Sequence, residues 1–276
     1  MSASLELSPS LFAIFKSLVE ERVGIHYSNG DVDVFAGKLS ARARDAGFDS
    51  LLDYYYFLRY DPAAGDEADA LIDALVVNET YFHREADQLH VFCDLVLRPQ
   101  TAMLGPGQRL RVWCAASSTG EEPFTLAILL AERGLLDSVE IFASDVSLRA
   151  LGRAREGLYG PRALRALPPS FRDRYVFVDG ERATVAPFIR RAVAFGRVNL
   201  MDDEAVARLG SFDAVLCRNV LIYFSDATTI RVVKALTDVL RPGGHLLVGA
   251  SESLLRLGTL LTCEERGGSF FYVKAS

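Results

Sequence analysis

The apolar positions of the chain fall into two regimes. Over the first quarter they recur at helical spacing. Ser8-Pro9 precedes Leu11, Phe12, Ile14, Phe15, Leu18 and Val19, which predicts a capped amphipathic helix. A second helix is expected over about 31–46, stopping at Gly47, a third over 50–60, ended by Asp61-Pro62, and a fourth over about 67–77. A further helix is expected over 86–97, followed by a connector over 98–107. From Arg109 short apolar runs alternate with helical patterns. Leu110, Val112 and Trp113 predict a strand, 115–120 a loop of small and hydroxyl residues, and Phe124 to Leu130 a buried helix that opens near Pro123. The alternation resumes with strands over 138–143, 211–217, 245–249 and 269–274, and with helices over 147–155 and 226–240. Arg241-Pro-Gly-Gly244 is expected to turn sharply between the last helix and its strand. Pro161, Pro168 and Pro169 interrupt the pattern, and 175–195 has β character, so a small hairpin-rich insert is expected at about 160–196.

This pattern predicts a helical domain over 1–77 with its linker, and over 78–276 an α/β, Rossmann-like domain containing the insert. The bulk numbers suit it: 276 residues, half of them hydrophobic, allow a sizeable core. The net charge of −6 is unevenly placed. Residues 1–77 hold six basic and thirteen acidic side chains, and the remainder is close to balance. No electrostatic footprint for nucleic acid is visible. Lys38 and Arg42, at i, i+4 with Arg44 nearby, make a basic stripe that could dock an acidic helix or simply face solvent. Cys93, Cys114, Cys217 and Cys263 are widely spaced and the four histidines show no ligand spacing, so no metal site is expected. His83 and His90 read as surface residues. The N-terminus has no signal-peptide pattern and no apolar run is long enough for a membrane span, which leads to the expectation of a cytoplasmic protein without direct membrane insertion.

The chemistry concentrates at the opening strand–loop–helix. A dinucleotide site would place Gly-x-Gly-x-x-Gly there, with pyrophosphate on the helix amides. This loop has Gly120 alone, followed by Glu121-Glu122, which would repel a phosphate. That disfavours a nicotinamide oxidoreductase. The two carboxylates suit the helix dipole, and they suit a cationic ligand such as S-adenosylmethionine, with its amino group and sulfonium. Asp145, just after the second strand, stands where an acidic residue accepts bonds from ribose hydroxyls, or where it would cap the next helix. Asn78 and Thr80 are candidates either for a helix cap or for a ligand strap, and Arg84 offers a planar fork for a carboxylate.

Taken together, NETYFHR (78–84), VWCAASSTGEEPFT (112–125), IFASDVSLRALGRAREGLY (141–159), FDAVLCRNVLIYF (212–224) and LRPGGHLLVGASES (240–253) resemble one family, the chemotaxis receptor glutamate methyltransferases known as CheR. The resemblance covers nearly the whole chain. It implies the seven-stranded methyltransferase fold and transfer of a methyl group from S-adenosylmethionine to glutamate side chains, leaving S-adenosylhomocysteine. It implies that Glu122 holds the cofactor's amino group and Asp145 its ribose. Asn78, Thr80 and Arg84 would close over the methionine part, Asn199 and Leu200 meet the adenine, and Asn219 and Val220 lie near the reacting centre. Arg84 and Tyr223 would line the approach of the substrate glutamate as the catalytic pair. The implied partner is the cytoplasmic helical domain of a methyl-accepting chemoreceptor. A regulatory scaffold that binds the cofactor with little turnover is the alternative. Two departures stand out. Relatives that grip a receptor's C-terminal pentapeptide tether carry a Gly-rich loop in the insert, whereas 176–186 has only Gly180, so weak or no tether binding is expected. The first domain is acidic overall where relatives use a basic helix, and the target could belong to a signalling pathway other than chemotaxis.

Overall fold

The computed structural model describes residues 5–275. The first four helices are α1 (Pro9–Val23), α2 (Val32–Asp45), α3 (Leu51–Tyr60) and α4 (Gly65–Leu75). The Ser8 hydroxyl accepts the Leu11 N–H at 3.2 Å, Ser50 does the same for Asp53, and Gly24 ends α1 in a left-handed conformation. Phe15, Phe35, Leu39 and Tyr54 are fully buried between these helices. The basic stripe of α2 is used inside this domain. Both nitrogens of the Arg42 fork reach Glu67, at 2.8 and 2.7 Å, and Lys38 donates to the last carbonyl of α4, Leu75, at 3.2 Å. The sequence left these two either as a docking stripe or as a solvent-facing one. The structure instead shows them pinning α4 to α2.

α5 (Ala86–Val91) continues through a wider π-helical turn at Phe92–Leu97 into α6 (Arg98–Thr101), so the expected connector begins later than 98. The π turn restarts the hydrogen-bond register, and Pro99 then falls at an early position of α6, where no amide is required.

The second domain runs β1 (Leu110–Ala115), α7 (Glu121–Glu132), β2 (Val139–Asp145), α8 (Leu148–Glu156), β3 (Leu158–Tyr159), α9 (Pro169–Tyr175), β4 (Val176–Asp179), β5 (Arg182–Val185), α10 (Pro187–Arg191), β6 (Val193–Arg197), α11 (Asp203–Arg208), β7 (Phe212–Cys217), α12 (Asp226–Asp238), β8 (Leu240–Val248), β9 (Leu261–Arg266) and β10 (Ser269–Lys274). Seven of these strands form one sheet in the order β6-β2-β1-β7-β8-β10-β9. The first five are parallel, and β10 and β9 close the edge antiparallel. This is the Rossmann-like arrangement, with helices on both faces. α7 contributes Phe124, Leu126 and Leu129 to the core on one face, and Trp113, Phe212, Val232 and Leu236 fill the other. Strand order reverses between β1 and β7, which opens a crevice at their carboxyl ends.

Two details differ from the sequence reading. The hairpin-rich stretch is split by α10, and its last strand, β6, is an edge of the large sheet; only β3, β5 and β4 form the small sheet. Arg241–Gly244 is not a turn before a strand but a bulge within β8, where pairing jumps from Phe212–Leu240 to Ala214–His245. Gly244 is needed there, because a Cβ would sit 2.8 Å from the Arg241 carbonyl.

The helical domain packs directly over the crevice. His26 N–H donates to the Tyr223 carbonyl at 2.8 Å, and Ile25 bridges to Phe224. The Asn199 amide donates to the Arg22 carbonyl at 2.6 Å. On α4, Asp69 pairs with Arg197 and Asp73 accepts from the Ser147 hydroxyl. Gly24 lets the chain approach closely: a Cβ there would lie 2.9 Å from both Met201 and Thr228.

Candidate active site

The crevice is a pocket of about 980 Å³, counting its mouth. Its walls come from the carboxyl ends of four parallel strands and from two outside segments. Ala116–Ser118 follow β1, Asp145 ends β2, Val198–Leu200 follow β6, and Arg218–Val220 follow β7. The strap 77–81 with Arg84 crosses from one side, and Val23 and Ile25 of the helical domain close another. The start of α7 and the Tyr223-Phe224 turn complete the lining.

The loop after β1 is built for contact. Ala116 and Ser118 adopt left-handed backbone, at φ 55° and 49°. His83, Glu85 and Asn219 do the same, and they are the only other non-glycine residues among those described with positive φ. Backbone strain of this kind collects where a site needs its groups aimed. Gly120, at φ 93°, precedes α7, and a Cβ would press within 2.9 Å of Ala154 on α8.

Asp145 takes backbone N–H groups on both oxygens, from Ser118 at 2.8 Å and from Ser147 at 2.9 Å. Burial nonetheless holds its carboxyl above the usual range. Helix α8 is capped by Ser147 rather than Asp145, which leaves Asp145 on the pocket wall. Glu121 and Glu122 diverge. Glu121 turns away from the crevice and accepts from the Thr119 hydroxyl at 2.7 Å. Glu122 lines the pocket and meets Arg218 Nη1 at 2.7 Å. Burial raises the Glu122 carboxyl despite that neighbour.

Arg218, which motif reading left without a role, is the hub of the site. Its side chain is 1% exposed. It donates to Glu122, to Gln88 Oε1 at 2.9 Å, and to Glu85 Oε2 at 3.1 Å, with the Arg84 and Glu85 carbonyls beyond. Burial pushes the Glu85 carboxyl up, but the Ala250 amide, Asn219 and Arg218 outweigh it and hold it below the usual range. Glu252 supports the same loop, accepting from the Asn219 and Gly249 amides at 2.7 Å each. A Cβ at Gly249 would push on Asn219 Nδ2 at 2.7 Å and on Glu252 at 2.8 Å, so a side chain there would displace the groups that hold this loop. The signal for these residues was present in the sequence: Glu85 and Gln88 follow NETYFHR directly, and Arg218 precedes Asn219.

The structure brings Asn78, Thr80, Arg84, Glu122, Asp145, Asn199, Leu200, Asn219, Val220 and Tyr223 around this one pocket. Asn78 and Thr80 are not caps of α5, whose first residue is preceded by Glu85 without a side-chain cap. Asn78 Oδ1 accepts from the Ser118 hydroxyl at 3.1 Å. Asn199 is occupied structurally, with its amide on Arg22 and its oxygen accepting from Met201 N–H at 3.0 Å. Arg84 donates to the Glu79 carbonyl at 2.8 Å. Burial raises the Tyr223 phenol, and the positive charge of Arg84 pulls it back part of the way. His83 and His90 are half-buried against each other, with ring centroids 5.6 Å apart, rather than on the surface.

The sequence matches the CheR methyltransferase SAM-binding domain over residues 78–266 and the CheR methyltransferase all-alpha domain over 10–76. The chain belongs to the CheR methyltransferase family. It is similar to chemotaxis protein methyltransferase 2 of Vibrio cholerae, 34% identical over 95% of this chain and 92% of that one. It is 36% identical to chemotaxis protein methyltransferase 1 of the same organism, over 92% of this chain and 93% of the relative. A third relative is the probable biofilm formation methyltransferase WspC of Pseudomonas aeruginosa, 35% identical over 87% of this chain, which spans 56% of that longer protein. As a CheR methyltransferase it uses S-adenosylmethionine as cofactor. The pocket fits that group. A buried carboxylate faces it from α7 and another from the end of β2, suited to an ammonium and a diol. Ser117 Oγ, buried on the wall, has no partner of its own.

Proposed function

We propose that this enzyme methylates glutamate side chains of a chemoreceptor-type signalling protein, forming methyl esters. The observation that carries this reading is that Arg84 and Tyr223 line the same pocket as Glu122 and Asp145. Chemotaxis methyltransferases among the relatives support the receptor class, and the biofilm relative keeps a different signalling pathway within the same reading.

In this reading Glu122, held in place by Arg218, takes the amino group of the cofactor and Asp145 takes the ribose. Asn78 and Thr80 cover the methionine part with Arg84, and Leu200 with the Asn199 backbone flanks the adenine. S-adenosylmethionine, when bound, supplies a methyl group on an electrophilic sulfonium. Asn219 and Val220 border the place where it reacts. The acceptor carboxylate is ionised near neutral pH, so no strong general base is required of the protein. Arg84 orients that carboxylate with its fork and Tyr223 donates a hydrogen bond to it. The apolar lining and the overlying helical domain keep water away from the oxygen that attacks. In the small sheet the two-residue β4–β5 connection has Gly180 as its one flexible point, and tight tether binding is not part of this reading.

The test is transfer of a labelled methyl group to the cytoplasmic helical fragment of a chemoreceptor, with release of the label as methanol by mild base. Arg84→Ala should lower turnover on the receptor by about two orders of magnitude while the protein remains folded. Cofactor binding without base-labile transfer to any receptor would replace the enzyme reading with the scaffold one.

A further inference from the structure

The charge of the molecule is segregated along the chain. Residues 148–197, from α8 through the small sheet to β6, hold eleven arginines and four acidic residues. The other 226 residues hold nineteen basic and thirty-two acidic side chains. Part of this arginine excess lines a second groove next to the active-site pocket, separated from it by the strap, since Asn78, Glu79 and Thr80 border both. Arg149, Arg153, Arg162 and Arg165 line its wall. The Arg153 side chain makes no hydrogen bond or ion pair among the described residues, and the Arg162 side chain is 82% exposed, 3.5 Å from Glu79. Arg149 spends one nitrogen on the Asp73 carbonyl at 2.7 Å.

The strap connects the groove to the proposed reaction site. The Arg165 guanidinium stacks 3.7 Å from the centroid of the Tyr81 ring, and that of Arg84 lies 5.8 Å from the same centroid. One aromatic ring on the strap therefore links the residue proposed to orient the acceptor carboxylate to the first arginine of the groove. The two guanidiniums lie within about two helical turns of each other, at a pitch of 5.4 Å.

We infer that this arginine groove, rather than the α2 stripe, docks the acidic face of the substrate helix, holding carboxylates one or two turns along from the glutamate presented at Arg84. This inference rests on the proposed receptor substrate. Charge complementarity selects the occupant. A helix that offers one glutamate for methylation while carrying others on the same face meets a groove wall carrying four arginines, of which Arg165 already shares its charge with Glu79 at 2.8 Å. On α2, Arg42 is held by both oxygens of Glu67 and Lys38 by the Leu75 carbonyl, whereas the groove leaves the Arg153 side chain unpaired among the described residues and Arg162 82% exposed. Rim charges of this kind act chiefly on encounter and on substrate affinity, and salt screens them.

The experiment compares the full-length enzyme with Arg153→Glu/Arg162→Glu, using a chemoreceptor cytoplasmic fragment and labelled S-adenosylmethionine. The control is Arg182→Glu/Arg191→Glu, which reverses two arginines of the same chain region that do not line the groove. The expected result is a KM for the receptor raised by about tenfold in the first variant at low salt, with kcat and affinity for S-adenosylhomocysteine unchanged. The control should stay near wild type, and the gap should narrow as salt rises. Equal KM values in wild type and the groove variant would overturn the inference and leave the methyltransferase reading intact. A groove variant that keeps its KM but loses binding to phosphatidylserine vesicles would assign the arginines to a membrane surface and likewise overturn it. A wild type that methylates no receptor fragment would remove the receptor reading, and the inference with it.

Discussion

Arg218 shows what a single buried charge can organise. It is nearly inaccessible and is shared by two carboxylates and an amide oxygen. Removing one partner of such a set leaves the others buried without compensation, at a cost of about 3–5 kcal/mol. Arg218→Met should therefore lower stability by that order in urea unfolding. Adding Glu122→Gln should recover part of the loss, because the carboxylate that lost its partner is then neutral. At the same site, the Glu122 carboxyl is held above its ordinary value of 4.5. It takes up a proton at a higher pH than a free glutamate, so its attraction for an ammonium fades as pH falls, starting above 4.5. Calorimetry with S-adenosylhomocysteine should show affinity falling on that acid side, and Glu122→Gln should bind more weakly but with a flatter profile. Asp145→Ala should weaken the same binding at every pH.

At the scale of elements, β8 carries an unusual burden. His245 is buried in it with neither ring nitrogen partnered, and burial pushes its pKa down to about 4. Below pH 6.5 the unfolded chain binds a proton that the folded chain refuses until about pH 4. Stability therefore falls as pH drops through that window and is fully present above it. His245→Leu should lose less stability than wild type between pH 7 and pH 5, read from urea midpoints. The strands and helices of the chain were legible in the sequence because their signals are local: Ser8 and Ser50 at helix starts, Gly47 at a helix end, and apolar runs for β1, β2 and β7. What escaped was long-range. The bulge in β8 depends on its pairing with β7, and the membership of β6 in the large sheet depends on β2. The π turn before Pro99 depends on how the helix must continue. The site was legible as a set of motifs, but motif reading assigns roles one residue at a time. Arg218 has its role only because Glu85 and Gln88 arrive from one segment and Glu122 from another.

At the scale of the whole molecule, the helical domain and the sheet domain share one pocket. Val23 and Ile25 contribute to its wall, and the His26 amide is bonded to the Tyr223 carbonyl. S-adenosylhomocysteine should then slow hydrogen exchange at His26 and at the amides around Ile25, not only in the loops of the sheet domain. Asp73→Ala, which removes the α4 contact to Ser147, should speed exchange at that junction. Its effect on cofactor affinity should be smaller than that of Asp145→Ala.

The crowding at Gly24 has a consequence for how such a protein can change over generations. A methyl group on that turn would have to push the Met201 and Thr228 side chains aside, so the two halves fit as a matched pair. A recombination that exchanged the helical half alone would bring in a turn shaped for a different neighbour. Descendants that retain function are therefore expected to inherit both halves together, and substitutions at Met201 or Thr228 should be accompanied by changes in the turn that faces them.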